Sequence, residues 1–234
     1  MTIWGIADLH LSFAHPERRE RYAARWLDHA NRIEAEWRAA VKPGDLVLIP
    51  GDISMAVKHR DVQPDLAWLD RLPGTKVISP GNHDRWWNSA RAIRPMLRRS
   101  ILAVEGDAIE THGVVVCGAR GVPPREPDDP EAGRRQAREL DSLDRALDAA
   151  RSIPGSSPIY VLWHYPPFDQ NRVPGPSVTR LEAAEIAACV YGHLHSEGDW
   201  AGAVQGTVGT VRYHCVAADA VGFRPLRLGS VAGE

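Results

Sequence analysis

The strongest constraint on this chain is the repeated joining of a short apolar run to a polar turn. Residues 46–49 are aliphatic and lead directly into Pro50-Gly51-Asp52, and residues 77–78 lead into Pro80-Gly81-Asn82-His83-Asp84. Residues 2–7 form a similar run that ends at Asp8. Helical patterns lie between these runs, and strands that alternate with helices pair in parallel through crossover connections. The sequence therefore predicts an α/β fold.

The first half of the chain carries three helical patterns. The longest opens at Pro16, and its apolar side chains recur every three or four residues, as expected for one amphipathic helix. These side chains are Tyr22, Trp26, Ala30, Ile33, Trp37 and Val41. Shorter helices are predicted around residues 64–72 and at residues 86–99.

The second half of the chain is predicted to contain more strands. Short strands at 101–104, 108–112 and 114–118 indicate an antiparallel section, and the Pro-rich residues 119–136 are predicted to form a surface loop. The remaining elements are a helix at 137–151, a strand at 159–163, a loop at 166–176, a short helix near 181–188, and closing strands within 203–218 and 224–228. Two sheets between helical layers would accommodate this order.

The composition is that of a folded protein with a packed core. Apolar side chains make up 44% and charged side chains 25% of the 234 residues, which is too apolar for a disordered chain. This length predicts a single domain over residues 1–234. The 28 basic and 30 acidic side chains leave a formal net charge of −2, so a nucleic-acid partner is left open but not favoured.

The sequence carries no membrane or disulfide signal. No window approaches the roughly 18 apolar residues that span a bilayer, and the start Met-Thr-Ile-Trp-Gly lacks the order of a secretory signal. We therefore expect a cytoplasmic protein with no membrane partner. Cys117, Cys189 and Cys215 are odd in number and widely spaced, so they are predicted to be small core residues.

Polar side chains with metal-ligating chemistry follow the predicted strands. They are Asp8 and His10, Asp52, Asn82 to Asp84, His164, and His193 with His195. In open α/β sheets the carboxyl ends of the strands share one crevice. We therefore expect these groups to converge although they are far apart in the sequence.

The residue types in this set predict a pair of divalent cations. Carboxylate, amide and imidazole ligands without a thiolate suit manganese, iron, zinc or cobalt better than calcium. Seven ligands exceed the needs of one tetrahedral zinc, and they fit two ions if Asp52 bridges them. Such a pair generates hydroxide near neutral pH and stabilises both the attacking and the leaving oxygen of an in-line displacement at phosphorus.

The order of these motifs resembles that of the calcineurin-like metallophosphoesterases. The matching segments are Asp8-Leu9-His10, Gly51-Asp52, Gly81-Asn82-His83-Asp84, His164 and Gly192-His193-Leu194-His195. The resemblance implies an α/β fold of four layers, an α/β/β/α sandwich in which two mixed β-sheets are flanked by helices.

The resemblance also implies a role for each residue. One metal would be held by Asp8, His10, Asp52 and His195, and the other by Asp52, Asn82, His164 and His193. Asn82 and His83 would contact the substrate. His83 would not bind metal but would help the leaving oxygen depart, oriented by Asp84.

The substrate is expected to be a small-molecule phosphoester, either a phosphodiester or a nucleotide-type ester. The protein Ser/Thr phosphatases of this superfamily follow their Gly-Asp motif with an Asp-Arg pair, whereas Gly51-Asp52 is followed here by Ile53-Ser54-Met55-Ala56. The absence of that arginine disfavours a protein phosphatase. Two alternatives stay open, which are a nuclease acting on DNA or RNA and a catalytically silent scaffold of the same fold.

Some substrate contacts are also predicted. Arg120 and Arg180 are candidates for phosphate contact, and a basic stretch follows the histidine motif. Trp86-Trp87 would either form an aromatic wall for a base or pack inward. Oligomeric state is left open.

Overall fold

Two β-sheets form the centre of the molecule. The structure is a computed structural model, and it describes residues 1–21, 24–124, 128–155 and 157–231. In chain order, the strands are β1 (Thr2–Gly5), β2 (Leu46–Pro50), β3 (Thr75–Ser79), β4 (Ile101–Ala103), β5 (Asp107–Thr111), β6 (Val114–Ala119), β7 (Ile159–Trp163), β8 (Ala188–Tyr191), β9 (Gly206–Val208), β10 (Val211–Cys215) and β11 (Leu226–Ser230). The α-helices are α1 (His29–Ala40), α2 (His59–Asp70), α3 (Ala90–Ile93), α4 (Pro130–Ser152), α5 (Val178–Ala183) and α6 (Glu197–Gly202).

Both sheets are mixed, with a parallel centre and antiparallel edges. The first has the order β11-β1-β2-β3-β4 and the second the order β5-β6-β7-β8-β10-β9. Among the strands that the structure describes, only β11 in the first sheet, and β5 and β9 in the second, pair antiparallel to their neighbours. The parallel pairing brings the carboxyl ends of β1, β2 and β3 to one edge of the first sheet.

Apolar side chains divide the molecule into four layers. One buried cluster lies between the sheets and includes Ile3, Leu48 and Val190. A second joins the outer face of the first sheet to α1 and α2, and a third joins the outer face of the second sheet to α4 and α5. The predicted α/β/β/α sandwich of two mixed β-sheets flanked by helices is confirmed.

The prediction of one long helix from Pro16 is wrong for the first half of that segment. Pro16–Arg21 and Ala24–Trp26 form short 3₁₀ turns, and α1 begins only at His29. Tyr22 and Ala23 lie outside the described residues. Asp28 breaks the helix because its backbone takes the left-handed conformation, with φ of 55°.

The helix predicted at 86–99 is also wrong, since only the single turns Ala90–Ile93 and Arg94–Met96 are helical. Trp86 and Trp87 are buried, and their indole N–H groups donate to Asp84 (3.0 Å) and Glu105 (2.8 Å). These two side chains therefore pack inward and do not line a binding site.

The remaining differences concern pairing and helix ends. The predicted antiparallel section holds only for β5 and β6, because β4 pairs parallel with β3 in the other sheet. The predicted loop at 119–136 ends early, since α4 begins at Pro130. Asp129 caps this helix by accepting the N–H groups of Glu131 and Ala132, both at 2.8 Å. The short helix near 181–188 is α5, which ends at Ala183.

The three cysteines are free and buried, as predicted. Within the part of the chain that the structure describes, no helix is both long and apolar enough to cross a membrane.

Candidate metal centre

The predicted ligand residues lie together where the carboxyl ends of the two sheets meet. The segment after β1 runs beside the segment after β2, with the N–H groups of Asp8, His10 and Leu11 donating to the carbonyl groups of Gly51, Asp52 and Ile53, each at 3.0 Å. The N–H of His193, after β8, donates to the carboxylate of Asp8 at 3.0 Å. These contacts join the strand ends of both sheets into one cleft.

Three glycines permit this close approach. A Cβ atom on Gly81 would collide with the Asp52 carboxylate, and one on Gly192 would collide with the Asp8 carboxylate. Gly51 has φ of 89°, and a Cβ there would lie 2.7 Å from Nδ1 of His164. The glycine of each motif is therefore required by the packing of the ligands themselves.

Four of the ligand residues have a strained backbone. The φ angles are 59° at Asp8, 42° at His10, 53° at Asp52 and 72° at His193. Residues other than glycine rarely adopt this left-handed backbone conformation, and those that do are concentrated at active sites and ligand-binding sites. The fold thus stabilises an unfavourable backbone in order to aim these side chains into the cleft.

The first donor group consists of Asp8, His10 and His195, whose ligand atoms lie within 4.8 Å of one another. Nε2 of His10 is 3.2 Å from Nε2 of His195, which is itself 3.5 Å from Oδ1 of Asp8. Ligand atoms bound roughly 2.1 Å from one ion at right angles lie about 3 Å apart. These distances match a shared cation.

The second donor group consists of Asn82, His164 and His193. Oδ1 of Asn82 is 2.8 Å from Nε2 of His164 and 3.0 Å from Nδ1 of His193. The other ring nitrogen of His164 lies 3.0 Å from the carbonyl oxygen of Pro50, so it donates there. This hydrogen bond leaves the lone pair of Nε2 directed at the cleft.

Asp52 lies between the two groups. Its Oδ1 accepts the N–H of His83 at 2.8 Å. Its Oδ2 is 3.4 Å from Nε2 of His164 and 3.9 Å from Nε2 of His10. This oxygen is buried and has no hydrogen-bond partner, which is costly unless a cation satisfies it. The residues present therefore fit a metal that Asp52 can share between both groups.

The charges in the cleft are strongly coupled. Burial raises the pKa of Asp52 to about 7, with added repulsion from Asp8 and Asp84. Burial also opposes ionisation of Asp8, but the hydrogen bond and charge of His195 outweigh it and lower its pKa to about 2. Burial, then the nearby His164, lower the pKa of His193 to about 4. The cleft thus disfavours a second bare carboxylate and favours neutral imidazole, the ligand form, at His193. At His195 burial is outweighed by the hydrogen bonds and charges of Asp219 and Asp8, which raise its pKa to about 10.

The Asp84 carboxylate holds two turns together through hydrogen bonds to their backbone N–H groups. This buried carboxylate accepts the N–H groups of Gly81 (2.9 Å), Ile53 (3.0 Å) and Ser54 (3.0 Å), in addition to the Trp86 indole. None of the hydrogen bonds described for Asp84 reaches the ring of His83. Asp84 therefore joins the Asp52 turn to the Asn82-His83 turn, which positions both.

His83 lies at the mouth of the cleft. Its ring is exposed and packs edge-on against His10, with 5.3 Å between the ring centroids. Desolvation and the neighbouring His164 lower the pKa of His83 below its ordinary value. The lowered pKa favours the neutral ring, which keeps one N–H to donate.

Two residues of the site were not predicted from the sequence. Asp219 follows β10, and its Oδ1 lies 3.1 Å from Nδ1 of His195 while its Oδ2 lies 3.3 Å from Arg25. Trp26 packs against His10 and His195, with 5.5 Å between centroids in each pair. Asp219 obeys the same strand-end rule as the predicted ligands, so that rule could have found it.

Replacing Asp219 by Ala should lower the affinity for metal about 10- to 100-fold, because the outer hydrogen bond that orients His195 is lost. Metal titration monitored by calorimetry checks this. Asp219→Asn should recover part of the affinity, since an amide oxygen still accepts from Nδ1. A variant that melts earlier but binds metal with unchanged affinity would show that Asp219 acts on stability alone.

The geometry agrees with a comparison of the sequence with family models. The model described as calcineurin-like phosphoesterase matches residues 1–197. The chain belongs to this family. As a calcineurin-like phosphoesterase it is a metal-dependent phosphoester hydrolase, and the ligand cluster described above lies within the matched residues.

Two solved structures are similar to this chain at low sequence identity. A phosphopantetheinyl hydrolase from Mycobacterium tuberculosis is 13% identical, with a TM-score of 0.57 over 100% of this chain and 98% of that chain. A protein of unknown function from Aquifex aeolicus is 15% identical, with a TM-score of 0.47 over 97% of this chain and 95% of that chain. No curated protein matches the sequence significantly.

Proposed function

We propose that this phosphoesterase uses two divalent cations to hydrolyse a small-molecule phosphodiester or nucleotide-type phosphoester. The observation that carries the proposal is the buried Oδ2 of Asp52, which lies between two donor groups without a hydrogen-bond partner. The first metal set is Asp8, His10, Asp52 and His195, and the second is Asp52, Asn82, His164 and His193. The donor chemistry suits manganese, iron, zinc or cobalt.

The charges of the cleft support binding of a phosphate group. A pair of divalent cations, when bound, lowers the pKa of water and stabilises the charges of an in-line displacement at phosphorus. Asp8 and Asp52 are the carboxylates of the two proposed metal sets. They neutralise only part of the charge of two cations, so the site retains an excess of positive charge that attracts an anion.

Each remaining residue has a distinct task in this proposal. His83 is at the mouth of the cleft and can donate a proton or hydrogen bond to the departing oxygen. Asn82 contributes both a ligand oxygen and an amide that can contact substrate. Asp84 does not contact the reacting atoms but positions His83 through the backbone of its turn.

Two of the arginines considered from the sequence, Arg180 and Arg94 of the basic stretch after the histidine motif, do not support a nuclease. Nε of Arg180 donates to Asp144 at 3.0 Å, and Arg94 donates to the carbonyl oxygen of Ala103 at 2.7 Å. These side chains are engaged within the protein. An extended phosphate backbone needs several available cationic groups along its path, whereas the cleft itself is suited to a single phosphoryl group.

The proposal is tested with bis(para-nitrophenyl) phosphate and para-nitrophenyl phosphate after treatment with a chelator. We expect the metal-free protein to be inactive, and activity to return as about two equivalents of manganese, iron, zinc or cobalt bind. Undiminished hydrolysis in the chelator would contradict metal dependence. Two bound ions with neither ester hydrolysed would support the silent scaffold instead.

A further inference from the structure

A cavity of about 570 Å³ opens beside the second donor group. Its lining residues lie in the loops after β6 and β7, at 123–124 and 165–171, and in the segment 191–204, which includes the end of β8 and α6. His193 lines the cavity, and the ring of Tyr165 packs against that of His193 with 4.3 Å between centroids. The cavity is therefore continuous with the proposed metal centre, and its size is typical of small-molecule sites.

The cavity wall is mainly apolar. Pro123, Pro166, Phe168, Leu194 and Val204 contribute to it. Burial of an apolar group against such a surface is favourable, because apolar area is removed from water. An additional phosphate would lose its hydration there without gaining hydrogen bonds from the apolar side chains.

The polar groups of the wall are acidic or neutral. Asp169 and Asp199 are its carboxylates, Gln170 and Asn171 are its amides, and no described lining residue is Lys or Arg. Oδ1 of Asp169 accepts the N–H groups of Asn171 and Val173, both at 2.8 Å. The negative potential of these carboxylates opposes a polyanionic ligand.

We infer that this cavity binds the organic substituent of the phosphoester, and that this substituent is uncharged and largely apolar. The inference rests on the proposed function, and it narrows the substrate class. Esters that carry a neutral aryl or alkyl group would be favoured, and nucleoside polyphosphates would be disfavoured. The phosphoryl group would lie at the metal centre while the substituent fills the space between Phe168 and Leu194.

The test uses two phosphodiesters and one ester of a triphosphate, which share one leaving group. These are methyl para-nitrophenyl phosphate, benzyl para-nitrophenyl phosphate and the γ-para-nitrophenyl ester of ATP. In each, water adds to phosphorus, the bond to the aryl oxygen breaks, and para-nitrophenolate and a proton are released. We expect kcat/KM for the benzyl ester to exceed that for the methyl ester by about tenfold or more, because the phenyl group is buried only in the first case. The ATP ester should be the poorest substrate.

Variants assign the preference to the cavity. Ala203→Trp fills the cavity from its wall and should lower kcat/KM for the benzyl ester by a factor about tenfold larger than for the methyl ester. Ala39→Trp, at an exposed position of α1, is the matched control and should change neither. Gln170→Arg replaces an exposed neutral side chain by a cation and should raise kcat/KM for the ATP ester severalfold.

The outcomes separate this inference from the proposed function. If the wild-type protein with manganese hydrolyses none of the three esters, the proposed function fails. If it hydrolyses the methyl ester but shows no benzyl preference, or if Ala203→Trp slows both esters equally, only the cavity assignment fails. A better rate on the ATP ester than on the benzyl ester in the wild type would also overturn it.

Discussion

Replacing Asp52 by Asn is expected to remove both metal ions together and to lower kcat/KM by more than about 10³-fold, which corresponds to roughly 4 kcal/mol of transition-state stabilisation. The buried Oδ2 of Asp52 lies between the two donor groups, so one substitution deprives both ions of an anionic ligand. The amide oxygen of Asn can still accept the N–H of His83, a bond that is 2.8 Å long in the structure. The turn should therefore keep its shape. Elemental analysis and steady-state kinetics measure the two effects.

The control for this substitution is Asp45→Asn. Asp45 is also buried and accepts N–H groups from Thr2 (2.8 Å) and Lys42 (3.0 Å), as well as the Trp4 indole. It lies at the opposite ends of the strands, before β2, so its loss should lower stability but leave metal content unchanged. Full occupancy of both metal sites in Asp52→Asn would refute the bridging assignment. Loss of metal in Asp45→Asn would show that any destabilised variant loses the ions.

The ligand cluster could be predicted because each ligand obeys one positional rule. Asp8, Asp52 and His164 follow short runs of buried residues, and parallel pairing brings the ends of such runs together whatever their separation in sequence. The glycines at 81 and 192 add to this signal, since the structure shows that no other residue fits there. The location of the site thus depends on local patterns that are readable in a single sequence.

Other parts of the site depend on tertiary contacts that no local pattern encodes. Trp26 fits the helical spacing of its neighbours in the sequence. The left-handed backbone of Asp28 interrupts the predicted helix, however, and the Trp26 indole packs against His10 and His195. The role of Asp84 was predicted from its neighbour in sequence, whereas its carboxylate reaches across to Ile53 and Ser54. In both cases the side chain satisfies a distant partner, and the energy of that contact outweighs the local preference.

The apolar cavity is a further example, because irregular loops form most of its wall. Residues 123–124 and 165–171 have Pro-rich sequences that predict loops and nothing about their shape. Their positions are set by the sheet ends that carry them and by contacts such as the hydrogen bond from the N–H of Gly175 to the carbonyl oxygen of Pro167, at 2.9 Å. The inferred substrate preference therefore depends on the structure, whereas the reaction class could be predicted from the sequence.

Replacing His83 by Ala should lower kcat by about 10²- to 10⁴-fold while leaving metal content near normal, because the proposed function places this residue at the departing oxygen and gives it no part in metal binding. Its backbone N–H, which bonds to Asp52, is retained in the variant. The defect should grow with the basicity of the leaving group. An alkyl phosphoester needs its departing oxygen protonated, whereas para-nitrophenolate leaves without much help, so His83→Ala should slow alkyl esters by a larger factor than para-nitrophenyl esters.

His59→Ala is the matched control, since His59 is exposed at the start of α2, and it should leave both rates unchanged. His83→Gln separates the two roles that His83 can have. Glutamine donates a hydrogen bond but cannot transfer a proton at neutral pH, so recovery of the alkyl-ester rate by Gln would assign His83 to charge stabilisation alone. Equal losses for alkyl and para-nitrophenyl esters would remove leaving-group protonation from the mechanism, and unchanged turnover in His83→Ala would remove His83 altogether.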